Sequence, residues 1–123
     1  MIDAVALGER DKALQLYDDL LANREQPMSI LYLFSRHINI LLQIRDLSSM
    51  GLGRNELAKK IGIPPFTVPK YSKQAGLFKS SHLRSMLEDR LKYEEDFKRG
   101  RLPDQLAVEM FLIQALTNGQ KND

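Results

Sequence analysis

The sequence predicts an all-α fold, a compact helical bundle of about six to seven helices, on three observations. Apolar residues recur every three or four positions along most of the chain, and no segment alternates over a strand's length. Glycines and prolines divide the chain into helix-length pieces. The balance of 43% hydrophobic and 28% charged residues is that of a globular protein in which each helix buries one side. With 123 residues there is room for one core, but not for a nucleotide-binding domain beside a partner domain. A single helical domain over residues 1–123 is expected.

The elements follow in order. A short helix over residues 2–7 stops at Gly8. Asp11 is placed to cap the second helix, whose Ala13, Leu14, Leu16, Tyr17, Leu20 and Leu21 form one broad stripe ending near Asn23. Pro27 opens the longest helix, which reaches Met50 ahead of Gly51. At ~1.5 Å per residue it is ~36 Å long, about the width of such a domain, and its apolar residues spread over more than one side. It is therefore the expected central element. A short helix over residues 55–61 is capped by Asn55 and closed by Gly62. Pro64, Pro65 and Pro69 delay the next helix until about Thr67, because a proline deep in a helix removes a bond and clashes with the preceding turn. That helix ends at Gly76. Ser80 or Ser81 then caps a helix to Arg99, with Leu83, Met86, Leu87, Leu91, Tyr93 and Phe97 inward. A last helix covers residues 103–117, and residues 118–123 form a frayed polar tail.

Several function classes have little support. There is no cysteine, so disulfides, thiolate metal sites and cysteine nucleophiles are excluded together. No apolar run reaches the ~18 residues that a membrane span requires. The start Met1-Ile2-Asp3-Ala4 lacks a basic leader and an apolar segment, so a cytoplasmic protein is expected. Gly51-Leu52-Gly53-Arg54 has neither the spacing nor the lysine of a phosphate-binding loop. His37 and His82 lie on different helices without carboxylates at metal spacing, which favours structural or surface roles. Glu94-Glu95-Asp96 are consecutive helical residues that point in different directions, so they read as a solvated side rather than a Mg²⁺ site. No cofactor, metal or catalytic set is expected.

The net charge of +2 is unevenly distributed. Residues 54–79 hold Arg54, Lys59, Lys60, Lys70, Lys73 and Lys79 against Glu56 alone, a local balance of +5 that leaves −3 on the remainder. A short helix, a glycine turn and a second helix within this basic stretch have the shape of a helix-turn-helix reader. The second helix, however, opens with Phe66, Val68 and Pro69, which cannot hydrogen-bond base edges. A stand-alone DNA-binding protein using residues 54–79 is therefore the alternative reading.

The most informative stretch lies near the end. Lys98-Arg99-Gly100-Arg101-Leu102-Pro103-Asp104 is a helix stop followed by a restart: glycine takes the left-handed conformation, cations suit the closing dipole, and proline and aspartate suit the opening turn. Residues 105–113 then form an almost continuous apolar surface interrupted by Glu109. The central and last helices together carry more apolar surface than one small core uses, which points to a protein partner. The plain alternative is a self-sufficient bundle in which those sides are all interior.

Asp3-Ala4-Val5, Gly8-Glu9-Arg10, Ala13-Leu14, Leu57-Ala58, Ile63-Pro64-Pro65-Phe66, Val68 and the closing Lys98, Gly100, Arg101, Leu102, Pro103 and Glu109 resemble the C-terminal domain of the bacterial DNA polymerase III delta subunit. The resemblance runs from about Ile2 to Leu116. The chain departs from the family pattern at Glu94, where aspartate is usual six residues before that glycine. The resemblance implies a helical collar domain, the C-terminal third of a longer clamp-loader subunit. Delta in that family opens the ring-shaped sliding clamp through N-terminal AAA+-like domains absent from these 123 residues, while other subunits hydrolyse ATP. The collar, in which C-terminal domains of five subunits pack into a ring, is the contact such a domain would retain. It implies other loader subunits as partners, with Leu102, Pro103, Glu109 and Phe111 as interface or domain-closing residues. Primer-template DNA in the assembled loader would be met by Lys98, Arg99 and Arg101, unless those cations serve only the helix end. The domain itself would be non-catalytic within a DNA-directed DNA polymerase holoenzyme.

Overall fold

The computed structural model describes residues 1–119. It contains α1 (Ile2–Ala6), α2 (Arg10–Ala22), α3 (Pro27–Ser48), α4 (Arg54–Ile61), a 3₁₀ turn (Pro65–Thr67), α5 (Val68–Ala75), α6 (Ser80–Lys98) and α7 (Asp104–Gly119), with no strand among the described residues. Helix α3 is central because α4, α5, α6 and α7 all pack on it. Its Ile30, Leu31, Phe34, Ile38, Ile40, Leu41 and Ile44 are buried on several sides, which explains why its apolar residues follow no single stripe. The α6–α7 pairing is the most extensive, and α1 and α2 lie against α7. At the centre Phe34 and Phe111 meet edge to face, 5.6 Å between centroids.

Proline and glycine place several boundaries as expected. Pro27 occupies the first turn of α3, where a missing N–H costs no helix bond. Gly62 closes α4 at φ +83°. Gly100 closes α6 at φ +74°, and the N–H of Arg101 reaches back to the Asp96 carbonyl at 2.8 Å. Arg24 closes α2 in the same left-handed region at φ +65°, and the Glu25 N–H reaches the Leu20 carbonyl at 3.0 Å. No glycine advertises that turn.

The expected side-chain caps are corrected. Asp11 lies inside the first turn of α2, Asn55 lies inside α4, and none of the three helices assigned such a cap has a side-chain cap hydrogen bond. Ser80 is the first residue of α6 rather than its cap, and its hydroxyl instead accepts from Arg45 Nε at 2.9 Å. A cap contributes about 1 kcal/mol, less than the packing that sets where these helices begin. Helix α3 stops at Ser48, two residues before the expected end, and α7 starts one residue after Pro103. Helix α7 also runs further than expected, so Asn118 and Gly119 are helical, with Asn118 Nδ2 donating to Asp89 Oδ2 at 3.3 Å. Residues 120–123 of the expected frayed tail lie outside the described residues. Leu91, expected inward, is 62% exposed.

Candidate protein interface

Helices α3 and α6 run past each other so that the end of one meets the start of the other, and their seam has two unlike ends. At the start of α6 the Arg45 guanidinium donates to Ser80 Oγ (2.9 Å), the Ala75 carbonyl (3.0 Å) and the Phe78 carbonyl (2.8 Å). One cation thereby adds charged hydrogen bonds to carbonyls just after α5, of which Ala75 also accepts from the Phe78 N–H at 3.2 Å, and fixes the first turn of α6 to α3. Further out, Arg84 meets Asp46 at 3.4 Å.

At the other end the seam stays open. A cavity of about 420 Å³ lies between Tyr32, Ser35 and Arg36 of α3 and Leu87, Arg90 and Leu91 of α6. A second, of about 190 Å³, continues it past Met28 and Phe97, and the two share Tyr32 and Arg90. Tyr32 and Leu91 stand at the rim, 58% and 62% exposed, and Leu33, 61% exposed, extends the apolar surface around α3. Ser35 Oγ is buried in this wall without a hydrogen-bond partner among the described residues. Arg90 Nε lies 3.0 Å from Glu94 Oε2, an ion pair outside hydrogen-bond geometry, and Lys98 Nζ approaches Glu94 Oε1 at 3.2 Å.

The residues singled out in the sequence fall into three groups. Phe111 is fully buried, and Leu102 is half-buried against the core, so both hold the domain together from inside. Pro103 and Glu109 are exposed. Lys98, Arg99 and Arg101 are exposed too, but each has an acidic partner: Glu94 at 3.2 Å, Glu95 at 2.9 Å and Asp96 at 3.0 Å. The run Glu94-Glu95-Asp96 is thus the counter-charge of the basic turn. Tyr32, Ser35 and Arg90 carried no separate signal in the sequence, because the groove arises only when two distant helices are placed side by side.

The histidines have structural surroundings. His37 is half-buried, shares a 2.8 Å hydrogen bond with Gln74 and meets the Tyr71 ring at 5.2 Å. Burial holds its pKa below the usual imidazole value, partly opposed by the Gln74 bond. His82 is buried and bonds the Ala115 carbonyl through Nε2 at 2.7 Å. Tyr17 is buried between α2 and α7 and donates to the Gln105 carbonyl at 2.9 Å. Burial, with help from the Glu109, Asp104 and Asp18 carboxylates, pushes its phenol up to about 12. Among the described residues no group of three His, Cys, Asp or Glu could hold a metal ion. No described helix is long and apolar enough to cross a membrane.

In the basic stretch the lysines and arginine of residues 54–79 are exposed on α4, α5 and the turns beside them. Val68 is buried and anchors the start of α5 to the bundle, while exposed Phe66 and Pro69 offer no hydrogen bond to a base edge.

An all-helical fold whose two main helices leave an apolar groove uncovered belongs to the class of helical domains with an open interaction surface. Comparison with known proteins narrows the class. The chain belongs to the family described as DNA polymerase III delta subunit, C-terminal domain, whose model matches residues 1–115. It is 32% identical over 123 residues to the DNA polymerase III subunit delta of Bacillus subtilis, covering all of this chain and 35% of that protein. Its fold matches the Bacillus subtilis DNA clamp loader delta protein with a TM-score of 0.86 at 31% identity, covering 94% of this chain and 34% of that one. The chain therefore spans about a third of the length of both relatives. Residues 54–79 fall within the family match, which makes them part of this domain and leaves the stand-alone reader without support.

Proposed function

We propose that this protein is the C-terminal third of a clamp-loader delta subunit, a non-catalytic collar domain that holds delta in the loader through other loader subunits. The observation that carries this reading is the uncovered apolar flank of α3 and α6, with Tyr32 and Leu91 each more than half exposed, in a chain of the delta family. Large apolar side chains exposed together on a small bundle are stabilised when a partner covers them. In this reading the protein works in the cytoplasm beside the replicating DNA, and the sliding clamp is met only by parts of delta outside this chain. Mixing the protein with the other loader subunits should give a complex on size-exclusion chromatography. Separate elution of every component at tens of micromolar would overturn the reading.

Contact with primer-template DNA in the assembled loader is a secondary part of the proposal. Lys98, Arg99 and Arg101 are exposed, and their ion pairs with Glu94, Glu95 and Asp96 are partly or fully at the surface, where such pairs contribute about 0–1 kcal/mol and yield to a phosphate. The same pairs bring the turn's local charge to zero, which keeps any such contact weak. Replacing the three cations with alanine should lower the loader's DNA affinity and flatten its salt dependence by up to about three contacts' worth. An unchanged salt slope assigns the cations to the helix end alone.

A further inference from the structure

We infer that the α3–α6 groove receives an acidic amphipathic helix of a neighbouring loader subunit, with Leu91 and Tyr32 gripping its apolar side and Arg36 and Arg90 its carboxylates. The inference rests on the reading that other loader subunits are the partners of this chain. Three features of the groove select the occupant. Its two cavities run on from one another along α3 and α6, with Tyr32 and Arg90 common to both, which is the outline of a rod rather than of a small molecule. Its lining mixes polar and apolar groups in the wider cavity and is mainly apolar in the narrower one, and its apolar side chains have the spacing of three or four residues that suits a helix: Leu87 and Leu91 on one side, Met28 and Tyr32 on the other. Its charge is positive, with Arg36, Arg90 and Lys98 against Glu94 alone.

The two ends of this charge differ. Glu94 is already engaged by Arg90 and Lys98, whereas Arg36 is exposed and has no acidic partner among the described residues. Arg36 is therefore the cation most able to take a carboxylate from outside. Ser35 Oγ adds a buried hydroxyl in the same wall that lacks a hydrogen bond, a polar group that a covering partner can satisfy once the rim side chains shift. The chain itself displays the kind of helix that fits. On α7, Leu106 and Met110 are exposed one turn apart with Glu109 between them.

Leu91→Glu and Arg36→Glu test the assignment in the full-length subunit, since both side chains are exposed and neither supports the core. Affinity for the other loader subunits, read by fluorescence anisotropy or native mass spectrometry, should fall about tenfold or more for each, as when a central interface contact is lost. The Arg36→Glu effect should shrink as salt is raised, and the Leu91→Glu effect should not. Leu33→Asp, on the other side of α3, is the control. If Leu33→Asp blocks assembly while the two groove variants bind normally, the groove assignment fails and the collar reading stands. If the unaltered subunit binds no loader subunit, the collar reading itself fails. If the free subunit self-associates, and Leu91→Glu abolishes that association while leaving loader binding intact, the occupant is a second copy and the inference is overturned.

Discussion

The two ends of the α3–α6 seam are built from the same pair of helices and behave as opposites. At one end Arg45 reaches across to Ser80, Ala75 and Phe78, and every donor and acceptor it touches lies in this chain. At the other end Tyr32 and Leu91 are exposed, Ser35 Oγ has no hydrogen-bond partner among the described residues, and Arg36 is exposed. The closed end holds the fold, and the open end is surplus to it. Substitutions at the two ends should therefore separate stability from assembly.

Arg45→Ala should have the largest effect. It removes three hydrogen bonds from a charged donor at a half-buried helix end and leaves the Ala75 carbonyl with its bond from the Phe78 N–H alone. Charged hydrogen bonds contribute about 1.5–3 kcal/mol each, not additively, so a loss of roughly 3 kcal/mol is expected in urea unfolding. A loss below about 1 kcal/mol would show that the seam is held by its apolar contacts alone.

The closed side continues at Tyr17, where α2 meets α7, and here the test is pH. The phenol is pushed up to about 12 in the folded protein against 10.0 for an unperturbed tyrosine. Its contribution is fully present below pH 10 and is lost as pH rises towards 12, because the unfolded chain releases the proton first. Two units correspond to an upper limit of roughly 3 kcal/mol. Tyr17→Phe should abolish this alkaline loss, as read by thermal unfolding between neutral and strongly alkaline pH. His37 acts on the acid side with the opposite sign. Its lowered pKa means that stability declines as pH falls below the ordinary imidazole value, through protonation of the unfolded chain.

Much of the helical framework was legible in the sequence. Pro27, Gly62 and Gly100 mark boundaries because their backbone chemistry leaves few other places for them. The 3.6-residue period of α3 showed apolar residues on several sides, and the structure gives the reason in four packed neighbours. Polar caps were less legible. Ser80 looked like a cap, but its hydroxyl serves Arg45, and that tertiary bond could not be seen from neighbours in sequence. Arg24 gave no signal either, since a left-handed turn closed by arginine is set by its surroundings rather than by its own preference. Leu91 sits one turn beyond half-buried Leu87, and the shared period suggested burial. Along α6 the drift of the helix carries it out of the core to the groove rim. The sequence pointed to an apolar excess on the central and last helices; α7 buries most of its share, and the open end lies instead between α3 and α6, a pairing that periodicity alone does not give.

Ser35→Ala sharpens the contrast at intermediate size. Deleting a buried hydroxyl that has no partner among the described residues removes a desolvation cost, so a stabilisation of about 1 kcal/mol is expected. A destabilised variant would reveal an internal bond that the free protein uses, which would move Ser35 to the closed side.

The smallest expected effect is the most telling. Leu91 is 62% exposed and Arg36 is exposed without an acidic partner among the described residues, so Leu91→Glu and Arg36→Glu should each leave the stability of the free protein within about 0.5 kcal/mol of the starting value. A side chain that costs nothing to change in the free protein, yet weakens binding when changed, has its physical role in a partner. If unfolding instead reports a loss comparable to that of Arg45→Ala, the groove is part of the core's own support, and the two ends of the seam do the same work.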